Sequence, residues 1–109
     1  MGYTIEQIRE NTYLISGTNQ EELVSQMNQK FRKFTKEKLI PIIEENDTLK
    51  DLYLPDDEGK VKEIFPVVGF YEGVTERYFV KIDENSLKDY PTELEKITKA
   101  IQNSEFGNS

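Results

Sequence analysis

The chain contains no cysteine and no histidine. The absence of cysteine excludes disulfides, thiol nucleophiles, iron–sulfur clusters and thiolate zinc sites. The absence of histidine removes the commonest general base and transition-metal ligand, so neither a Ser-His-Asp nor a Cys-His centre can form within the chain. Carboxylate, lysine, tyrosine and hard-metal chemistry stay open, but no spacing of those residues indicates a catalytic site. We therefore expect a protein that is not an enzyme and that holds no cofactor.

Long apolar runs are also missing. The longest are only a few residues, far short of the roughly 20 that a helix needs to cross a bilayer. Residues 1–9 contain no basic segment followed by an apolar run, which a secretory signal would require. Together with the lack of cysteine, these features predict a cytoplasmic protein without a membrane partner.

Basic residues are outnumbered, with 14 lysines and arginines against 21 aspartates and glutamates, giving a net charge of −7. Such a chain repels phosphate backbones on average, which disfavours nucleic acid as a partner. Solubility is the simple explanation of this charge, and a basic partner is the alternative. Leu, Ile, Val and Phe interrupt the charged residues throughout, which predicts a folded domain rather than a disordered acidic segment. The Lys-, Glu-, Asn- and Ile-rich composition is typical of small accessory proteins of low-GC bacteria, phages and plasmids.

The first half of the chain predicts a strand and a long helix. Residues 11–16 are β-branched and aromatic, as in a strand, while residues 3–8 fit either a strand or one helical turn. Thr18 and Glu21 have capping-box spacing and open a helix over residues 19–38. Its apolar stripe comprises Leu23, Met27, Phe31 and Phe34.

The middle of the chain predicts a turn of helix followed by strands. Pro41 must kink the long helix, end it, or open a second short helix over residues 41–46. Residues 49–54 fit a short strand or extended segment. Residues 61–71 fit another strand, in which Pro66 indicates an edge or a bulge because it cannot donate to a ladder.

The last third predicts a hairpin and a final helix. A compact link at residues 72–73 leads into residues 74–82, whose alternation gives one largely apolar and one mostly polar face. After a polar segment at 83–86, Pro91 opens a helix with a capping-box pattern at Thr92 and Glu95.

These elements predict one α+β domain over residues 1–109, with residues 102–109 as a frayed tail. We expect a small antiparallel sheet of three to four strands, with a long N-terminal helix and a C-terminal helix packed on one face.

The first candidate site is basic. Residues 30–38 carry five basic residues and one acidic residue. On a helical wheel, Arg32, Lys33 and Lys36 share one sector, away from the apolar stripe. This sector fits a phosphate or an acidic peptide, although a solvated cationic face has the same pattern. Lys38 falls toward the core side of the wheel, so either the helix bends before Pro41, which we favour, or the stem of Lys38 runs along apolar surface with its charge in water.

The second candidate is an acidic stretch from residue 44 to residue 58, ending in Asp56, Asp57 and Glu58. Carboxylates bind Ca²⁺ or Mg²⁺, and a close pair can share a proton. The stretch lacks the ligand spacing of an EF-hand, and an exposed turn has the same composition, so we predict no metal site. A docking surface is the remaining functional interpretation.

The third candidate is the aromatic density of the predicted strands, which comprises Tyr53, Phe65, Phe70, Tyr71, Tyr78 and Phe79. If it forms a pocket on the sheet, we expect Tyr53, Tyr71 and Tyr78 to line it. Such residues more often fill the core of a small domain. A pocket lined by them would hold a planar ligand or a partner side chain.

We therefore expect a small, soluble, non-catalytic binding or regulatory module that acts through contacts with another protein, since charge is segregated into a basic helix face and an acidic stretch. The alternative is a small-ligand-binding protein that uses the aromatic pocket. A nucleic-acid or phosphate binder acting through the basic helix face is a more distant alternative. An unpaired strand at Pro66 would also let two copies pair through their sheet edges.

Overall fold

A computed structural model describes residues 4–16, 20–75 and 77–103 of the chain. It contains a four-stranded antiparallel sheet combined with helices, which confirms the predicted α+β class. The strands are β1 (Thr4–Arg9), β2 (Thr12–Ser16), β3 (Val67–Glu72) and β4 (Arg77–Ile82). Their order in the sheet is β1-β2-β4-β3, so β1 and β3 are the two edges.

The helical elements follow in chain order. They are α1 (Gln20–Phe34), a π-helix (Thr35–Leu39), α2 (Ile40–Glu44), α3 (Asp47–Tyr53), α4 (Glu84–Leu87) and α5 (Pro91–Gln102). The apolar side chains that they bury form one cluster with the sheet.

The segment that fitted either a strand or a helical turn is a strand, because β1 pairs antiparallel with β2. Asn11 in the connecting turn has a φ of 64°, a left-handed conformation that asparagine tolerates better than most residues. The register shifts between Gln7 and Arg9, where β1 contains a bulge.

The predicted alternation of the last strand is confirmed in β4. Tyr78, Val80 and Ile82 are buried, whereas Arg77 and Lys81 are exposed. The pairing of β2 with β4 brings Tyr13 opposite Val80, so the apolar sides of both strands form one continuous face. We call this the inner face.

The long N-terminal helix only roughly matches its prediction, because α1 gives way to a π-helix after Phe34. In the π-helix the wider turn is closed by the N–H of Ile40, which donates to the carbonyl of Thr35. Leu39 is therefore buried, and Lys38 is exposed instead of facing the core. Pro41 lies at the start of α2, where its missing N–H costs little. Thr18 of the proposed capping box lies outside the described residues.

The prediction of a strand or extended segment at residues 49–54 is wrong, since this part of the chain forms α3. The side chain of Asn46 caps the helix by accepting from the N–H of Leu49 at 3.1 Å. Helix α3 buries Leu49 and Tyr53, which are four residues apart and so lie on one side of the helix. An apolar run this short satisfies helical and strand patterns equally, and the cap favours the helix.

The strand predicted over residues 61–71 starts only at Val67. The preceding segment bonds to helix α3, where the N–H of Glu63 donates to the carbonyl of Leu52 at 3.0 Å. Pro66 accepts from the N–H of Asp83 at 2.7 Å but has no N–H to return the bond. The ladder therefore begins after the proline, and the predicted edge position of this strand is confirmed.

The β3–β4 hairpin turn is held by Glu72. Its carboxylate accepts from the backbone N–H groups of Val74 and Thr75, and the Thr75 hydroxyl also donates to it. These bonds lower the pKa of Glu72, and the Thr75 hydroxyl has the largest effect, ahead of the Thr75 N–H.

The polar segment at residues 83–86 is not only a connection, because it forms most of α4, with Asp83 as N-cap. Helix α5 begins at Pro91, as predicted. Its N-cap is Tyr90, without a side-chain capping bond, so the capping box proposed for Thr92 and Glu95 is wrong. Proline at the first helical position fixes that start without a cap. The predicted frayed tail lies outside the described residues from 104 onward.

Both long helices pack on the inner face. Phe31 and Asn28 of α1 lie beside Gly69 and Tyr78 of the sheet. Thr98 and Gln102 of α5 lie beside the hydroxyl of Tyr13. The sheet therefore has helices on one face, as the two apolar helix stripes predicted.

Candidate interaction surface

The opposite face of the sheet carries an apolar row, in which Leu14 is buried, and one lysine beside it. We call it the outer face and define it by Leu14, Val68, Phe70, Phe79 and Lys81, which alternate with the inner-face residues. The rings of Phe70 and Phe79 stack, with centroids 5.6 Å apart and planes inclined by 27°. Val68 and Phe70 keep 40% and 41% of their surface exposed. An aromatic pair is thus presented on the face that neither long helix covers.

Phe70 and Phe79 belong to the aromatic density that the sequence shows in the predicted strands, but the sequence did not place them on an exposed face. Phe79 sits on the mostly polar side of β4, and Phe70 occurs in a predicted strand without clear alternation. Only the β3–β4 register places the two rings opposite each other, with Leu14 of β2 opposite Phe79 on its other side. A non-polar residue on the polar side of a strand was the signal that one of these rings is exposed.

The two edges of the sheet differ in how they are protected. Edge strand β1 contains a bulge between Gln7 and Arg9 and bears charged side chains, features that discourage pairing with another chain. Edge strand β3 pairs with β4 in an uninterrupted register. In an antiparallel pair, only every second residue of a strand bonds to its neighbour strand, and the bond from the Asp83 N–H to the Pro66 carbonyl shows which residues of β3 do so. The N–H and carbonyl groups of Gly69 and Tyr71 therefore point away from β4. Among the described residues these groups have no hydrogen-bond partner, which leaves β3 open to an added strand.

A cleft of about 470 Å³ lies at one end of the outer face. Val68 and Lys81, which face each other across β3 and β4, belong to both the outer face and the cleft. Ile64, from the segment before β3, contributes a side chain that is 84% exposed. The cleft volume lies within the range of ligand sites.

Three carboxylates line this cleft, from Glu10, Asp83 and Glu84, against the single cation of Lys81. Asp83 accepts from the N–H of Asn85 at 3.1 Å and from the Ser86 hydroxyl at 2.9 Å. Glu84 accepts from the side-chain amide of Asn11 at 2.8 Å. These donors are all uncharged, and among the described residues none of the three carboxylates is in an ion pair. The cleft therefore keeps a negative charge.

The predicted basic residues are all on the surface. Arg32 and Lys33 lie in the last turn of α1, Lys36 lies in the π-helix, and all three are exposed. The helical wheel that placed them in one sector assumes the rotation of an α-helix, about 100° per residue. In a π-helix the rotation per residue is smaller, so that wheel does not apply to Lys36. Their common sector remains a prediction.

The predicted acidic residues form a turn. The carboxylate of Asp56 accepts from the N–H groups of Glu58 and Lys60, both at 2.9 Å. Glu58 approaches Lys60 at 3.9 Å, and Asp57 is exposed. Asp56 thus has a local role in shaping the turn. In the described part of the chain, no group of acidic side chains has the arrangement of a metal site.

The three tyrosines of the proposed pocket contribute mainly to the core. Tyr78 is 1% exposed and donates to the side-chain oxygen of Asn28 at 3.3 Å. Burial raises the pKa of Tyr78 to about 12, although the charge of Arg32 opposes the shift. Tyr53 is buried with its ring edge-on to Phe65, and Tyr71 packs partly buried against the core. The cleft on the outer face is lined by other residues.

Comparison with known proteins gives no identification, since no protein-family model, curated protein or solved structure matches the chain. Within the described ranges, no helix combines the length and the apolar character needed to cross a bilayer. The chemistry of its surface is therefore the basis for a functional proposal.

Proposed function

We propose that this protein is a non-catalytic binding module whose partner is another protein, and that it contacts this partner through the outer face of its sheet. The observation that carries the proposal is the stacked pair of Phe70 and Phe79 beside Val68. Exposed apolar groups gathered on one face are characteristic of protein-binding surfaces.

Strand β3 supports the same surface from its backbone. The outward N–H and carbonyl groups of Gly69 and Tyr71 offer hydrogen bonds to an added strand, while Val68 and Phe70 offer side-chain contacts. Peptide recognition by strand addition uses this combination, with main-chain bonds for affinity and alternate side chains for specificity.

The other two expectations have less support. A pocket made by Tyr53 and Tyr78 would need side chains that the core already buries. Nucleic-acid binding through the basic residues would lack stacking partners, because Phe34 is buried and Phe31 packs against the core. The net charge of −7 also opposes polyanions.

The test replaces the outer-face side chains while keeping strand-compatible residues. In Val68→Thr with Phe70→Thr, the two exposed apolar side chains become polar, and threonine is β-branched and compatible with a strand. The matched control is Lys33→Glu with Lys36→Glu, which alters the other exposed surface. Each chain is used as bait in lysate of the source cells, bound proteins are quantified by mass spectrometry, and the selected partner is purified for calorimetry.

We expect a partner that the wild type and the Lys33/Lys36 control retain and that the outer-face variant loses. If the full surface of a phenylalanine is taken as about 200 Å², the 41% that Phe70 leaves exposed is about 80 Å². Burial of that area is worth about 2 kcal/mol, so removing the ring should weaken binding about thirtyfold. Equal affinity of both variants, or loss only in the lysine control, would contradict the proposed surface.

A further inference from the structure

We propose that the partner segment docking on the outer face carries a lysine or arginine side chain that enters the acidic cleft. This inference rests on the proposed function and adds the chemistry of the partner, an extended apolar protein segment with a basic residue. The cleft and the apolar row then form one recognition surface with two parts.

The two parts are continuous in the fold. Val68 follows the apolar row along β3 and also forms a wall of the cleft, and Lys81 lies opposite it on β4. A segment lying across Phe70 and Val68 therefore reaches the cleft without leaving the sheet. Side chains two residues apart in an extended segment point to the same side, so one can contact the apolar row while the next on that side enters the cleft.

The cleft carboxylates are outside ion pairs, as are most acidic groups in the described part of the chain, but three of them line one cleft. Glu45 is paired with Lys96 at 2.7 Å, and Glu95 is paired with Lys99 at 3.0 Å. Lys81 lines the cleft together with Glu10, Asp83 and Glu84, but among the described residues it forms an ion pair with none of them. Their hydrogen bonds to Asn11, Asn85 and Ser86 orient two of these carboxylates without neutralising them. The missing counter-charge is what a basic side chain of the partner supplies.

The walls of the cleft suit the stem of such a side chain. Lysine and arginine combine a charged head with an apolar chain that packs along hydrophobic surface. Ile64 and Val68 present that surface beside the carboxylates. A phosphate group or an acidic peptide would meet net negative charge here, and a second copy of this chain would bring another net charge of −7.

The experiment selects peptides without assuming a sequence. A library of random short peptides displayed on phage is selected against the immobilised full chain, and an enriched peptide is synthesised for fluorescence anisotropy. Glu10→Gln with Glu84→Gln removes two cleft charges while keeping the amide oxygen that can accept from Asn11. Asp57→Asn with Glu58→Gln removes the same number of charges from the distant turn and serves as the matched control.

We expect enriched peptides to contain a lysine or arginine beside apolar residues. The cleft variant should bind such a peptide about tenfold more weakly, the size expected from losing two exposed ion pairs. The control should stay within about twofold of the wild type at physiological salt. Replacing the basic residue of the peptide by glutamine should weaken binding to the wild type but barely change binding to the cleft variant.

Several results would overturn this inference. Enrichment of peptides without a basic residue, equal weakening by both double variants, or no enrichment at all would each do so. Sedimentation showing a dimer that Phe70→Thr dissociates would assign the face to a second copy instead. If Phe70→Thr abolishes peptide binding while the cleft variant does not, the proposed function stands and the basic residue is wrong. If neither change affects binding, the outer face itself is not the site.

Discussion

Replacing Gly69 by alanine should destabilise the protein, because the inner face leaves no room for a methyl group there. An ideal Cβ at Gly69 would lie 2.7 Å from the Tyr78 hydroxyl oxygen and 2.9 Å from Cγ of Phe31. Ordinary contacts of this kind begin near 3.4 Å. The Tyr78 side chain cannot move into solvent to relieve the overlap, since it is buried and bonded to Asn28.

The size of the effect follows from two opposing contributions. Overpacking of a well-filled core costs about 1–3 kcal/mol. Alanine also restricts the unfolded chain more than glycine does, which stabilises the native state by about 0.4–1 kcal/mol. The net loss should be about 1–2 kcal/mol, and in a chain of 109 residues this lowers the melting temperature by about 4–8 °C.

The assay is urea denaturation followed by circular dichroism, together with thermal melting. Gly73→Ala is the matched control, because nothing lies within 4 Å of a Cβ at that position. The cost of Gly69→Ala should fall by about 1 kcal/mol in a Tyr78→Phe background, which removes the closest atom. A Gly69→Ala protein as stable as the wild type would refute the packing argument, as would an unchanged penalty in the Tyr78→Phe background.

Two further changes probe features that the sequence did not reveal. Asn46→Ala removes the cap of α3, together with the bond from the Asn46 amide to Glu93, and should cost about 1 kcal/mol in urea denaturation, whereas Asn46→Ser keeps a capping acceptor without a charge beside Glu93 and should cost less; an Asn46→Ala protein of wild-type stability would contradict the capping role. As the pH rises from 10 to 12, ionisation of Tyr78 should favour the unfolded state. The reason is that the unfolded side chain ionises near pH 10, whereas the native pKa is raised to about 12. The loss, up to about 3 kcal/mol, should be absent from the alkaline stability curve of Tyr78→Phe, and parallel curves for the two proteins would contradict it.

Local patterns predicted the elements whose apolar period was long and regular. The stripe of α1 and the alternation of β4 each extend over several repeats, and both were assigned correctly. Prediction failed for α3, where a short apolar run fits either period until the cap at Asn46 is seen. It also failed before Val67, where the chain bonds to α3 rather than continuing as a strand. Local sequence carries no information about such a distant partner.

The candidate surface depended still more on distant contacts. Lysine, glutamate and aspartate clusters in sequence drew attention to Arg32, Lys33, Lys36 and the turn at residues 56–58. The cleft instead combines Glu10, from the first hairpin, with Asp83 and Glu84, from the other end of the chain. Asp83 and Glu84 are adjacent in sequence, but only the fold brings Glu10 beside them.

By itself, the sequence determined the chemistry that this protein lacks and the faces that its regular elements bury. The absence of histidine and cysteine excludes their chemistry in any fold, and burial of an apolar stripe is a local property of a helix or strand. Only the tertiary structure decided that β4 lies between β2 and β3, and hence that Phe79 stacks on Phe70. Strand order and register depend on contacts between segments far apart in the chain, and those contacts place the aromatic pair beside the acidic cleft.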